Sequence, residues 1–376
     1  IESKLRAFIM QVYWFTGRSL NDLCSTTQIA LATGLTERGH TVTFINSDSS
    51  KSHQNHPWKH QSISAKAPRG LQSRTLAKKM RTWILENEIK DDSIALLDWR
   101  IAKYLIPLLQ QRCIKWIIID RGPPADKGIL ALLQWPSWRR GWKYVRTNPS
   151  SHGCVVSEKH RNFVHKKTNV PLSSIAVLPA GVNLDLFKPN DGFQKLTLVY
   201  HGKLDRNRGV LALTKFLQMA EEIGIDLSLK MIGDGDAFDS LKTMAQQYDN
   251  LEVHQTLEQD ALAQVISQCH IGLLPMPETG VWTLASPLKR SEYAASGLAI
   301  LGIDHSGHRL EGGEVEWMKL LSQEQFLEEG TKWLQMLAND NSKLEQLKLQ
   351  ARQYAEENMS WSHSIDALEK VLNSVP

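Results

Sequence analysis

Residues 195–233 read KLTLVYHGKLDRNRGVLALTKFLQMAEEIGIDLSLKMIG. The two ends, KLTLVYHG (195–202) and DLSLKMIG (226–233), are short apolar runs closed by glycine, as strands entering a turn would be. Between them, VLALTKFLQMAEEIG (210–224) spaces its apolar residues as a helix does and also stops on glycine. Parallel strands need a crossover of a dozen or more residues, so strand, helix and strand at these lengths make one unit of a parallel sheet. The pattern continues through LEVHQT (251–256), HIGLLP (270–275) and LAILGI (298–303), with AFDSLKTMAQQY (237–248), DALAQVISQC (260–269) and SPLKRSEYAASG (286–297) as the helices between. In the first half the strands are RAFIMQVYWF (6–15), HTVTFIN (40–46), SIALLDW (93–99), KWIIID (115–120), HGCVVS (152–157) and SIAVLP (174–179), and Gly39 closes the helix before the second of them. Each half reads as its own doubly wound α/β domain. Length agrees, because 376 residues exceed the roughly 250–300 that one core supports.

Composition excludes several classes. Hydrophobic residues at 42% and charged residues at 22% rule out a disordered, collagenous or coiled-coil chain. The net charge of +4 is the sum of two opposed halves: residues 1–190 carry 28 Lys and Arg against 13 Asp and Glu, and residues 191–376 carry 16 against 27. The first half is therefore +15 and the second −11. Cys24, Cys113, Cys154 and Cys269 are scattered, which suggests neither a disulfide framework nor a zinc site and points to the cytosol. His53, His56 and His60 lie in HQNHPWKH, a polar stretch with Pro57 that reads as a loop. No apolar run reaches the ~20 residues of a spanning helix, and IESKLRAFIMQVYWF lacks the apolar core of a signal peptide.

Five stretches from residue 175 onward carry the chemistry. IAVLPAGVNLDLFKP (175–189) leads in, and HGKLDRNRG (201–209) places a basic pair, Lys203 and Arg208, between a strand and the next helix. Concentrated positive charge beside a helix N-terminus is what a pyrophosphate needs. MIGDGDAFDSLK (231–242) has a Gly-x-Gly turn, LEVHQTLEQDALAQVISQCHIGLLPMPE (251–278) follows, and SPLKRSEYAASGLAILG (286–302) sets Glu292 ahead of a run of small residues. Together these motifs resemble the GT-B glycosyltransferases, most closely the retaining family numbered four, the group 1 type. The resemblance spans nearly the whole chain. It implies two Rossmann-like α/β domains facing across a cleft: residues 1–190 binding acceptor, residues 191–358 binding a nucleotide-sugar donor, and a C-terminal helix, 359–376, crossing back to the first domain.

The resemblance also assigns residues. Lys203 and Arg208 reach the donor diphosphate and stabilise it as it leaves; Gly202, Gly233 and Asp234 approach the nucleotide; His254 lies against the base. Glu292 binds the ribose hydroxyls, for which a carboxylate suits because it accepts two hydrogen bonds. Backbone N–H groups around Ser286, Pro287 and Leu288 meet the phosphates, and Lys289 pairs with Glu292, reaches a phosphate or faces solvent. Departures are visible. Ala180 and Asn183 replace the family's Asn and Asp, and Leu284 stands where a first glutamate contacts the sugar; Glu278 or Thr283 is the substitute expected there.

The first half is more divergent. FTGRSLND (15–22) offers Gly17 and Arg18 to the acceptor, KWIIIDRGPPADKG (115–128) puts Asp120 near the reacting centre with Arg121 beside it, and Asp98 has a comparable claim or caps a helix. LLQWPSWRRGWKYVR (132–146) interleaves Trp135, Trp138, Trp142 and Tyr144 with Arg139, Arg140, Lys143 and Arg146; such a stretch either packs beneath the domain or suits an anionic membrane surface. The expected function is transfer of a sugar from a nucleotide sugar to a glycan or lipid-linked acceptor at the cytoplasmic membrane face, with no metal, no other cofactor and no nucleic-acid partner. A sugar-nucleotide epimerase and a non-catalytic sugar-nucleotide-binding protein remain open.

Overall fold

The computed structural model describes residues 9–20, 25–49, 55–68, 70–124, 132–190, 192–280 and 282–375. Cys24, His53 and the tail of the FTGRSLND stretch, Asn21 and Asp22, lie outside them. The chain divides into two compact units, residues 1–179 with 361–376, and residues 180–360. The division falls within the 175–189 stretch singled out above.

The first unit is built on a seven-stranded sheet of β1 (Gln11–Phe15), β2 (Thr41–Asn46), β3 (Lys59–Ser62), β4 (Ile94–Asp98), β5 (Lys115–Ile119), β6 (His152–Val155) and β7 (Ile175–Val177), in the order β3-β2-β1-β4-β5-β6-β7. All pairings are parallel, and Trp14 at the centre pairs with Phe44 on one side and Leu96 on the other. Alternation along each strand decides which helices cover which face. Tyr13, Phe15, Ala95, Leu97, Trp116 and Ile118 pack with α2 (Gln72–Glu86), α3 (Trp99–Gln111) and α4 (Trp135–Thr147). Their neighbours Val12, Trp14, Ile94, Leu96, Ile117 and Ile119 pack with α1 (Thr26–Glu37) and the C-terminal helix, here called α12 (Trp361–Ser374). Ile365, Leu368, Val371 and Leu372 form the buried stripe of α12. Gly34 lets the two helices touch, for a Cβ there would stand 2.0 Å from Ile365 Cδ1. Arg38 pairs with Asp366 at 2.6 Å and with Glu369, and His40 Nε2 lies 3.0 Å from the same glutamate.

Asp120, just past β5, is the polar anchor of this unit. It is 1% exposed. Its Oδ2 accepts the indole N–H of Trp138 at 2.6 Å and of Trp142 at 2.9 Å, and its Oδ1 accepts Gly122 N–H at 2.9 Å. His160 of α5 (Glu158–Thr168) lies 3.6 Å away. Burial opposes the charge, but His160 and the hydrogen bonds from Trp142 and Gly122 outweigh it and hold the carboxyl below the usual aspartate range. Gly153 on β6 leaves room for the Trp142 ring, which a Cβ would meet at 2.2 Å.

The second unit carries six strands, β8 (Leu196–His201), β9 (Leu227–Ile232), β10 (Leu251–His254), β11 (Ile271–Leu274), β12 (Ala299–Ile303) and β13 (Met318–Leu321), in the order β10-β9-β8-β11-β12-β13, again all parallel. Helices α6 (Lys215–Glu222), α7 (Phe238–Ala245), α8 (Gln259–Ser267), α9 (Leu288–Ala295), α10 (Glu328–Asn339) and α11 (Asn341–Asn358) connect or cover them. The chain winds outward from β8 to β10 and then restarts at β11, so the switch point lies between β8 and β11. Strands β3 and β13 correct the reading of the sequence, which took 53–60 as loop and gave no strand at 318–321. Both are edge strands, which form without the continuous apolar run of a central strand.

Asp120→Leu is expected to leave two buried indole N–H groups and one backbone N–H without an acceptor. At about 1–3 kcal/mol for each buried unsatisfied group, the variant unfolds at a clearly lower denaturant concentration, followed by tryptophan fluorescence. An unchanged midpoint would remove Asp120 from the core of the argument.

Candidate functional site

Backbone contacts hold the start of the loop that leaves β8. Gly202 N donates to Ile232 O at 2.8 Å and Leu204 N to Asp234 O at 2.9 Å, so this loop lies against the one that leaves β9. Gly233 has φ +146°, and a Cβ there would fall 1.9 Å from Gly202 O; one at Gly235 would fall 2.4 Å from the Leu204 backbone. The Gly-Asp-Gly turn is thus required by loop-on-loop packing. Gly209, at φ +74°, ends the short turn Arg206–Arg208 and sits against Pro275 O after β11, where a Cβ would come within 2.8 Å.

Around this floor the structure gathers Tyr200, His201, Gly202, Arg208, Lys289 and Glu292. Lys289, on the first turn of α9, is 8% exposed; its Nζ lies 4.1 Å from the Tyr200 ring centroid and 3.2 Å from where a Gly202 Cβ would be. No hydrogen-bond acceptor meets this ammonium among the described residues. Burial, reinforced by the charge of Arg208 and opposed by Glu292, brings the Lys289 pKa down to about 7. Arg208 lies 3.5 Å from Asp205 and 5.8 Å from the Trp282 ring centroid. The Tyr200 hydroxyl donates to Lys203 O at 2.9 Å, and burial pushes its pKa up to about 12. Glu292 is 7% exposed, with Oε2 at 3.1 Å from His201 Nε2. Pro287 stands at the N-cap of α9, which has no side-chain cap, while Ser286 Oγ accepts Ala180 N–H at 3.2 Å.

The segment between β11 and α9 is pinned from the loop after β12. His305 Nε2 donates to Met276 O at 3.1 Å while its Nδ1 accepts Gly307 N–H at 3.1 Å, an arrangement that requires the neutral imidazole. Burial lowers its pKa accordingly. Ser306 Oγ donates to Thr283 O at 2.8 Å. Leu284 is buried, Glu278 is exposed, and Thr283 Oγ1 donates to Gly280 O at 3.2 Å.

The other residues named from the sequence have the following surroundings. Lys203 is exposed. Asp234 is exposed and accepts a hydrogen bond from Thr256; His254 is exposed and lies 3.2 Å from Glu252. In the first unit, Gly17 and Arg18 follow β1, at the switch between β1 and β4. Arg18 Nε is 3.8 Å from Asp98, which also caps α3 through Arg100 N at 3.0 Å and meets the Arg100 guanidinium at 3.4 Å. Asp98 therefore does cap a helix. Arg121 is partly buried beside a small cavity lined by Trp14, Gln28 and Cys154. Asp120, expected near the reacting centre, has its oxygens engaged by Trp138, Trp142 and Gly122, which makes it a positioning residue of the fold. Trp138 and Trp142 are core side chains, whereas Arg139, Arg140 and Lys143 are exposed. His201 and Arg100 were missed; His201 could have been found as the residue immediately before Gly202 at a strand end.

Residues 25–186 match the family model described as Glycosyltransferase Family 4. No curated protein matches. Among solved structures, a glycosyltransferase from Rickettsia africae ESF-5 superposes with TM-score 0.75 at 12% identity, covering 98% of this chain and 99% of that one. Sucrose-phosphate synthase from Thermosynechococcus elongatus gives 0.75 at 13% identity, covering 97% and 99%. HepE of Anabaena, in complex with UDP and glucose, gives 0.74 at 11% identity, covering 97% and 100%. The chain has the GT-B fold of these structures, two parallel-sheet α/β domains of seven and six strands, which is the fold that the resemblance read from its motifs implies.

Lys289 also sets a pH dependence of stability. The groups that act on it are Tyr200 from β8, Arg208 from the following loop, Glu292 from α9, and His308. Its folded pKa of about 7 lies below its ordinary value of 10.5, so between these limits the unfolded chain binds more protons and this group's contribution to stability rises with pH. Lys289→Met is expected to be more stable than the parent by roughly 2–5 kcal/mol at pH 6, with the gap narrowing towards pH 9. Denaturant titrations at the two pH values measure it, and a gap independent of pH would show that Lys289 is not a buried ammonium.

Proposed function

We propose that this protein moves a sugar from a nucleotide-sugar donor to a hydroxyl acceptor, with retention at the anomeric carbon and without a metal. The observation that carries the reading is the cluster at the β8–β11 switch point, where Arg208 and Lys289 stand beside Glu292 and the uncapped N-terminus of α9. A diphosphate supplies the charge that the Lys289 ammonium lacks, and the helix N-terminus adds backbone N–H donors. Arg208, Lys289 and the exposed Lys203 then stabilise the charge that builds on the diphosphate as its bond to the sugar breaks. Glu292 accepts hydrogen bonds from the ribose hydroxyls. The acceptor hydroxyl attacks the same face of the sugar, and its proton goes to the departing phosphate. Gly17, Arg18 and Arg121 of the first unit are the proposed acceptor contacts, with Gly202, Gly233 and Asp234 framing the nucleotide and His254 at the base. HepE was solved with UDP, which makes UDP-sugars the first donors to test.

A donor-binding protein without turnover is the second reading, favoured by one observation: Leu284, where relatives carry a sugar-contacting glutamate, is buried. Glu278 and Thr283 are the candidates to replace that carboxylate. With a UDP-, GDP- or ADP-sugar panel, transfer requires donor consumption that depends on acceptor. An epimerised nucleotide sugar formed without acceptor would instead identify an epimerase.

Arg208→Ala and Glu292→Ala are each expected to slow donor consumption tenfold to a thousandfold, about the range for losing a charged contact to a developing charge. Both variants turning over like the parent would sink the site.

The acceptor side is proposed to work at an anionic membrane on its cytoplasmic face. Leu132 and Leu133, exposed at 67% and 65%, lead into α4, whose outer face presents Arg139, Arg140 and Lys143. Among the described residues no helix is long and apolar enough to cross a membrane, so the contact is peripheral. The protein is expected to pellet with phosphatidylglycerol vesicles in low salt and to leave them in high salt. Pelleting that ignores salt, or none at all, would overturn this part of the reading.

A further inference from the structure

We propose that His201 is a positioning residue that keeps the Glu292 carboxylate apart from Lys289 and so makes it available to the hydroxyls of a ribose. This rests on the reading of Glu292 as a nucleotide ligand. His201 is the last residue of β8, and its backbone N–H donates to the Tyr293 hydroxyl at 3.2 Å. Its ring stands perpendicular to Tyr293 with centroids 5.2 Å apart, and Tyr293 is itself fully buried against Gly272, where a Cβ would meet its ring at 2.2 Å. The imidazole is therefore held by the sheet below and by an aromatic ring beside it. Glu292, by contrast, has a long side chain on an eight-residue helix, with three torsions to fix.

Two basic side chains flank that carboxylate. Lys289 precedes it by three residues on α9, the spacing at which helix side chains meet, and its buried ammonium has no acceptor among the described residues. Yet no ion pair joins Lys289 to Glu292 among those residues; Glu292 Oε2 lies instead 3.1 Å from His201 Nε2, an approach close enough for attraction although the angle does not complete a hydrogen bond. A Lys289–Glu292 pair would neutralise both groups inside the helix and withdraw them from a ligand. By drawing Oε2 aside, His201 leaves the ammonium for the diphosphate and the second carboxylate oxygen for a diol. The histidine itself acts through Glu292 and touches neither the sugar nor the phosphate.

The test compares UDP with 2′,3′-dideoxy-UDP by calorimetry on the full chain, with GDP and ADP and their dideoxy forms as further probes. The parent is expected to prefer the ribonucleotide by about tenfold to a hundredfold, the range for a hydrogen bond to a charged group. In His201→Leu that preference should fall to about threefold or less, with dideoxy affinity little changed. His201→Gln, which carries an N–H donor at a similar reach, should keep most of the preference. His201→Phe retains the aromatic packing on Tyr293 and replaces His201→Leu if the latter does not melt cooperatively. Full discrimination in His201→Leu or His201→Phe, equal loss for both nucleotides, or a Gln variant that behaves as Leu does, overturns the proposal. A parent that binds UDP without preference removes Glu292 from the ribose and the proposal with it, while a parent that binds none of the nucleotides overturns the sugar-nucleotide reading itself.

Discussion

Two strand-end loops of the second unit lie backbone against backbone, and this approach sets the positions of the chemistry around it. At Gly233 no side chain larger than hydrogen fits, because the Gly202 carbonyl occupies the space. The contact drives the β8 loop onto the β9 loop, where Gly202 N–H and Leu204 N–H find their acceptors. Gly202 can then cover Lys289, and the turn at Arg206–Arg208 brings a guanidinium to the same pocket of charge. A side chain at 202 would crowd the ammonium, and one at 233 would separate the loops altogether. The glycines set the floor of this cluster by letting the two loops meet.

The floor also explains why positive charge can be concentrated in an acidic half. Outside the site the second unit's basic residues are largely paired: Arg206 donates to Ser240, Lys230 to Glu252, and Arg309 to Asp304. Arg352 and Arg290 donate to backbone carbonyls. Lys289 has no acceptor of this kind among the described residues. A buried ammonium in that condition is costly unless a ligand compensates it, which is the physical content of the donor-site reading and the reason that net charge alone could not reveal it.

What could be read from the sequence followed burial. Central strands such as 196–201 and 271–274 are apolar nearly throughout because helices cover both faces, and their period is unmistakable. The edge strand KHQS at 59–62 has none of that signal, since its pairing with β2 is made by backbone alone and its side chains are polar. The site divided in the same way. Glu292, Lys289 and Arg208 stood in recognisable motifs, whereas His201 had no motif of its own and became visible only when β8 and α9 brought residues 91 positions apart to 3.1 Å. The Trp138 and Trp142 rings were ambiguous for a related reason: a basic, aromatic stretch fits a membrane surface or a core until the acceptor of the indole N–H groups is known.

That acceptor, Asp120, and Glu292 contrast a buried acid whose oxygens are filled with one whose hydrogen bonds are incomplete. Both are buried, and each has a histidine close to one oxygen. Sequence position does not separate them, since either could orient a substrate hydroxyl. Partner count does. Asp120 accepts two indole N–H groups and a backbone N–H, which fills the sites facing α4 and the following turn and makes any further hydrogen bond to a ligand costly. Glu292 Oε2 has ion-pair proximity to His201 but no completed hydrogen bond among the described residues, and the ammonium one turn away is equally unsatisfied. A protein interior tolerates such a pair of under-satisfied charges where a ligand completes them. The contrast ties the first acid to the packing of its unit and leaves the second with capacity for a further hydrogen bond, which is why the proposed donor contact is placed there.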